Sequence, residues 1–250
     1  MRLAALSDIH ANPAALEACL ARAGELGATQ LALLGDLVGY GPDPATVVER
    51  IRALAAAGAW VLRGNHDTLA AAPPAEPKTV DEAGARWTHD RLDATQRDWL
   101  AALPLQRIEP PCLLVHASAD APEAWRYVNN PLVAGESLAH AVRIEGVRYV
   151  LGGHVHLQAL WYQGRGSTLM LFEPVPGKTI PVPRHRRWLA TVGSVGQPRD
   201  GNPAAAFALL DTDAAQLTFH RVAYDVGATV ALARRAGAPA DVIRRLETAR

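Results

Sequence analysis

The chain has 250 residues, 49% hydrophobic and 20% charged, so it can bury one substantial core and is expected to fold as a single domain spanning 1–250. Its 25 basic residues balance 25 acidic ones, which leaves no global positive field of the kind that marks nucleic-acid or anionic-membrane binders. Any anion must therefore be held locally. Cys19 and Cys112 lie far apart in apolar runs and are expected to be buried thiols, not a disulfide. With no charged leader, cleavage site or long apolar span, the expected location is cytoplasmic.

Leu3 to Leu6 reads as a short apolar strand. Asn12 then caps a helix that starts with Pro13 and carries Leu16, Cys19, Leu20 and Ala23 at helical spacing until Gly27 closes it. Leu31 to Leu34 is a second strand, and Asp43-Pro44 repeats the cap-plus-proline signal before Val47, Val48, Ile51 and Leu54. Trp60 to Leu62 is a third strand, so the chain opens as alternating strand and helix, the pattern of a largely parallel sheet.

"AAPPAEP" (71 to 77) breaks regular structure and leads into two helices, about 80 to 92 and 94 to 103. Asp93 and Gln96 make a capping box between them. Trp87 and Trp99 are expected to pack this hairpin, an insertion at about 71–104, onto the body. Leu113 to Val115 and Tyr149 to Leu151 are further strands. Gly164 and "PVPGKTIPVP" (174 to 183) punctuate an antiparallel portion, 207–211 and 217–222 form a hairpin, and about 226–250 form surface helices. "RHRR" (184 to 187) reads as a small solvated basic patch.

Ligands in parallel sheets bind outside the carboxyl ends of the strands, and the polar residues of this chain gather at those ends. The first strand delivers Asp8 and His10, the second Asp36, and the third the run "GNHD" with Asn65, His66 and Asp67. The fourth delivers His116, and the fifth runs into "GGHVH" with His154 and His156. A spacing of two would put Asp8 with His10, and His154 with His156, on one side of extended backbone. His89, His140, His185 and His220 lack that placement and are taken as structural or exposed.

Singly, a D-x-H or a strand-end histidine is more often a cap or a hydrogen-bonded core group than a ligand. Jointly, so many acids and imidazoles at strand ends would be costly to desolvate without a cation. The mixed nitrogen and oxygen set without thiolate suits Mn, Fe, Zn, Co or Ni. There are too many ligands for one tetrahedral ion. Two ions sharing a carboxylate, about 3.5 to 4 Å apart, would clamp an in-line displacement at phosphorus.

The order D-x-H, G-D, G-N-H-D, a lone His and G-H-x-H resembles the calcineurin-like metallophosphoesterase superfamily. "GDLVGYGPDP" and "GSVGQPRDG" (193 to 201) resemble its small bacterial phosphoesterase and phosphodiesterase branch. The resemblance implies an α/β fold (α+β by some schemes), a four-layer αββα sandwich of two packed sheets flanked by helices, here with the hairpin at about 80–103 overhanging the site. It implies two divalent ions, Mn foremost with Fe, Zn, Ni or Co also compatible. Asp8, His10 and His156 would hold the first, Asn65, His116 and His154 the second, and Asp36 would bridge them. His66 would protonate the leaving oxygen, with Asp67 orienting its ring; hydroxide bridging the ions would attack phosphorus. Arg63 is the nearest candidate for gripping a phosphate oxygen, or else an exposed strand-end charge.

Many relatives have glycine where Ala11 and Ala117 stand, so those two backbones must be compatible with a Cβ. Asp36 is followed by "LVGYG", not by the D-R-G of protein serine/threonine phosphatases and diadenosine tetraphosphate hydrolases, which disfavours both substrates. The reading is a hydrolase of small phosphomonoesters or phosphodiesters, including nucleotides. A non-catalytic scaffold of the same fold that binds a protein partner, a nuclease and a protein phosphatase stay open as alternatives. Neutral charge speaks against nucleic acid as a partner.

Overall fold

Capping signals act where the sequence places them. Asn12 accepts the Ala15 N–H and Pro13 fills the first helical position, while Asp43 and Pro44 do the same for the next helix through Thr46. The computed structural model describes residues 1–164 and 168–250. In chain order it runs β1 (Arg2–Leu6), α1 (Pro13–Glu25), β2 (Gln30–Leu33), α2 (Pro44–Ala56), β3 (Trp60–Val61) and α3 (Asn65–Ala71). The hairpin α4 (Val80–His89) and α5 (Ala94–Ala102) follows, then β4 (Gln106–Glu109), β5 (Cys112–Val115), α6 (Pro131–Val142) and β6 (Tyr149–Gly152). The rest is β7 (Gln158–Gln163), β8 (Leu169–Phe172), β9 (Thr179–Pro181), β10 (Trp188–Val192), β11 (Ala205–Asp211), β12 (Gln216–Val222), α7 (Val226–Arg235) and α8 (Ala240–Thr248).

The strands form two six-stranded sheets, β3-β2-β1-β11-β12-β9 and β4-β5-β6-β10-β7-β8. Each holds a parallel triplet, β1 with β2 and β3, and β6 with β5 and β10; the other pairings are antiparallel. Alternation along the strands splits the core. Leu3, Ala5, Leu114, Leu151, Leu160, Ala190 and Phe219 fill the space between the sheets. Leu6, Leu16, Cys19, Val47, Ile51 and Phe207 pack α1 and α2 on the outside of the first sheet, and Val115, Leu138, Trp161 and Leu189 pack α6 on the outside of the second. The result is the four-layer αββα sandwich.

Both cysteines are buried and free. Among the described residues no helix is long and apolar enough to cross a membrane. The hairpin rests on α3 and α2, with Trp99 packed into the outer core and Trp87 covered by Arg91. Asp93 and Gln96 make their reciprocal capping bonds at the start of α5.

Sequence reading missed α3. The "NHD" run is not a loop after a strand but the first turn of a helix. Gly64 is its N-cap, and Asp67 reaches back to the Gly64 N–H. Helix α6 and the strands β4 and β10 also lay in stretches that carried no assignment. Two of these, β4 and β10, are short, and burial of all five residues of β10 hides the alternation that would have revealed it.

Candidate metal centre

Every candidate ligand is carried just beyond the end of β1, β2, β3, β5 or β6, and the loops are stitched together past the last strand residues. Asp8 N donates to Gly35 O and His10 N to Asp36 O at the first sheet, and Gly153 N to His116 O at the second, while His154 N donating to Asp8 Oδ2 and the His116 ring to Leu34 O join the two. The chain must turn sharply to do this. Asp8 (φ 54°), His10 (47°), Asp36 (50°), His154 (65°) and His156 (62°) all take the left-handed conformation that non-glycine residues seldom adopt. The same-side placement of Asp8 with His10, and of His154 with His156, thus comes from strained turns and not from extended backbone. Ala11, at φ 50°, shares the strain where many relatives are glycine.

Glycine is required where loops touch. A Cβ on Gly64 would stand 2.2 Å from Asp36 Oδ1, and one on Gly153 would stand 1.8 Å from Ser7 Oγ and 2.4 Å from Asp8 Oδ2.

The side chains fall into two groups, Asp8, His10, Asp36 and His156, and Asp36, His116 and His154. Within each, one ligand atom per residue lies within 4.8 Å of the others. All six residues are buried. Asp36 belongs to both groups: its Oδ1 accepts the His66 N–H at 2.8 Å, while Oδ2 lies 3.9 Å from His10 Nε2 and 3.3 Å from His116 Nε2. Asp8 repeats the device. Its Oδ2 accepts the His154 N–H at 2.9 Å, and Oδ1 has no hydrogen-bond donor, lying 3.2 Å from His156 Nε2. Asn65 Oδ1 sits 3.2 Å from His116 Nε2, joining the second group.

Backbone carbonyls set the tautomers. His10 Nδ1 faces Val38 O, His116 Nδ1 faces Leu34 O at 2.8 Å, and His156 Nδ1 faces Gln197 O at 2.5 Å, so each ring donates there and turns Nε2 to the centre. His154 is reversed, with Nε2 donating to Trp125 O at 2.9 Å and Nδ1 left free. The Nε2 atoms of His10 and His156 then stand 3.0 Å apart as facing lone pairs. An orphaned buried carboxylate oxygen and opposed lone pairs are what a cation would satisfy, so the residues fit a pair of metal ions.

The charge distribution agrees. Burial opposes ionisation of Asp8, yet His156 and His116 outweigh it and hold the carboxyl well below the usual range. Burial likewise disfavours the imidazolium of His116, but Asp36 overrides it and raises the ring to about 9, a proton standing where positive charge is wanted. Burial and the neighbouring His116 push His154 down to about 4.

His66 is buried beside the first group, its ring centroid 5.2 Å from His10 and 4.3 Å from Tyr40; among the described residues it makes no hydrogen bond through the ring. Asp67 does not hold that ring. Its Oδ1 accepts from Leu37 N and Val38 N and its Oδ2 from Gly64 N, so it ties the third loop to the second. Burial and the nearby Asp36 raise it to about 7 against those donors. Arg63 donates from Nη1 to Ala101 O at the end of α5, an orphan carbonyl of a helix terminus, and its Nε is buried without an acceptor among the described residues.

Several functional groups escaped sequence reading. The orienting carbonyls of Val38, Leu34, Trp125 and Gln197 carry no residue-type signal at all. Ser194 Oγ donates to Asp8 O at 2.8 Å and Gly196 N bonds the same oxygen, so "GSVGQPRDG" braces the first strand's turn. Tyr40 covers His66 and His10, and its hydroxyl donates to Asp81 on the hairpin. Tyr127 stacks on His154 with centroids 4.0 Å apart.

Residues 1–158 match the family described as calcineurin-like phosphoesterase. An uncharacterized protein of Methanocaldococcus jannaschii is 30% identical over 236 residues, covering 90% of this chain and 88% of that one. A metallophosphoesterase structure from Sphaerobacter thermophilus aligns with TM-score 0.87 and 33% identity over 100% of this chain and 99% of that one. A hypothetical protein from Pyrococcus horikoshii aligns with TM-score 0.76 over 100% and 98%, at 20% identity, and so shows likeness of fold. With its two buried clusters joined through Asp36 at the strand ends, the chain belongs to the calcineurin-like phosphoesterase family.

Proposed function

We propose that the protein hydrolyses small phosphomonoesters or phosphodiesters with two divalent ions, Mn foremost. The observation that carries the reading is the pair of buried clusters sharing Asp36, with Asp8 Oδ1 left without a hydrogen-bond donor in the first and His154 turning Nε2 away to Trp125 O in the second. Asp8, His10 and His156 would hold one ion, Asn65, His116 and His154 the other, and Asp36 both. When bound, such ions make water a nucleophile near neutral pH and neutralise phosphoryl oxygens.

The remaining steps belong to side chains. His66, buried and without a hydrogen-bond partner on its ring among the described residues, is free to give a proton to the leaving oxygen. Burial lowers its pKa, and the Asp36 and Asp81 carboxylates work against that shift by favouring the protonated ring. Tyr40 keeps the ring in place by packing. Asp67 acts at one remove, by fixing the turn that carries Asn65 and His66. The hairpin reaches the rim through Asp81 and Tyr40, which supports small substrates over folded phosphoproteins.

The test is elemental analysis combined with a panel of mono-, di- and cyclic phosphoesters assayed with Mn²⁺ and other divalent ions. Two ions per chain and turnover of at least one compound are expected. Two bound ions with no turnover on any compound would point to a scaffold that binds a partner.

A further inference from the structure

Two arginines from outside the family-matched segment converge on the wall of this centre. Arg199, in the "GSVGQPRDG" loop, holds its guanidinium 5.9 Å from the centroid of Tyr40, and Arg245 of α8 holds its own 5.6 Å from the same ring. Tyr40 in turn lies 4.3 Å from His66 and 4.8 Å from His10, centroid to centroid. Tyr40 thus links both guanidiniums to the proposed acid and to a residue of the first cluster.

Neither arginine forms an ion pair among the described residues. Arg199 donates from Nη2 to Gln197 Oε1 at 3.3 Å, and its Nε is buried with no acceptor. A buried donor without a partner is costly. Both guanidiniums also place positive charge beside one phenol, whose hydroxyl already donates to Asp81. An anion would offset both costs, because the planar fork of arginine matches phosphate and carboxylate oxygens. Delivery of Arg245 is a tertiary event: α7 and α8 pack through Val230, Ala233, Val242 and Leu246, with Tyr40 against that cluster.

We infer that Arg199 and Arg245 form a subsite for a second anionic group, a carboxylate or phosphate, carried by the leaving group of the substrate. The inference rests on the phosphoesterase reading and deepens it: the preferred phosphoesters bear a negative charge beyond the bond that is cleaved. Arg199 and Arg245 are specificity-determining residues here.

The test compares phosphoglycolate with ethyl phosphate, two monoesters that differ by a carboxylate on the leaving group, using the Mn-loaded full chain. Wild type should favour phosphoglycolate by about tenfold or more in kcat/KM. Arg199→Met and Arg245→Gln should each bring the ratio towards one, mainly by raising KM for phosphoglycolate. Arg245→Gln changes a half-buried helix position and guards against a folding failure in the loop variant. A wild-type ratio near one, or variants that keep the wild-type ratio, overturns the subsite. If wild type turns over neither compound, the hydrolase reading is decided separately on the full panel of mono-, di- and cyclic phosphoesters. Calorimetric titration of the Mn-loaded protein with both compounds then decides. Tighter binding of phosphoglycolate that both variants lose upholds the subsite, and equal binding of the two compounds overturns it.

Discussion

The two halves of the candidate metal centre are built differently. The Asp8, His10 and His156 half is enclosed: its residues are at most 2% exposed, and Ser194, Gly196 and Gln197 from the loop after β10 brace it from behind. The Asn65, His116 and His154 half is more open. Asn65 is half-buried, and His154 is steadied by Trp125 O and by Tyr127, a side chain 47% exposed. An enclosed half braced by several backbone contacts should hold its ion tightly. The half steadied by an exposed aromatic loop should exchange its ion more readily and face the incoming substrate.

The harshest way to break that contrast is to remove the residue the halves share. Asp36→Asn should take the protein from two ions to none and lower kcat/KM on the order of 10⁴ or more, because one carboxylate neutralises both cations. Elemental analysis of wild type and variant reads this directly. Retention of two tightly held ions with normal activity would end the bridging assignment.

His66→Asn should leave both ions in place and lower kcat by about 10² to 10⁴. The loss should shrink for substrates with acidic leaving groups such as nitrophenolate, since that oxygen needs little help from a proton. His154→Asn should instead weaken the second ion and hurt all substrates alike. Measured kcat against leaving-group pKa, at saturating metal, separates the two roles, and a His66 variant that sheds its metal loses the acid assignment.

A smaller change should touch only the enclosed half. Ser194→Ala removes the bond to Asp8 O and the acceptor for Gln197 N–H, and should weaken the first ion by about 10- to 100-fold while sparing the second. Competitive chelation followed in two phases checks this, and equal weakening of both ions would dissolve the distinction between the halves. The smallest effect is expected from Tyr127→Ala. Losing the stack on His154 should loosen the second ion by about threefold. A larger shift in the first ion than in the second would reverse the comparison.

Much of this was written in the order of residue types. Apolar runs that stop on Asp8, Asp36, Asn65, His116 and His154, with proline-started helices between them, announce a parallel core and a ligand site at one end. Those signals are local, set by hydrophobic periodicity and by the capping chemistry of Asn12 and Asp43. The roles of Asp67 and Arg63 were not legible in that way. A carboxylate next to a histidine can orient the ring or bond backbone, and only the fold brings Leu37 N, Val38 N and Gly64 N to Asp67, and Ala101 O to Arg63.

By itself the sequence determined which side chains could bind metal and that they stand at strand ends, because residue type and periodicity are properties of the chain. Tertiary structure alone decided which nitrogen of each imidazole faces inward, since that depends on carbonyls of Leu34, Val38, Trp125 and Gln197 whose residue types leave no mark. It also brought Arg199 and Arg245, 46 positions apart in the chain, each beside the ring of Tyr40. Those arrangements arise from loops crossing between two sheets, a geometry with no counterpart in local spacing.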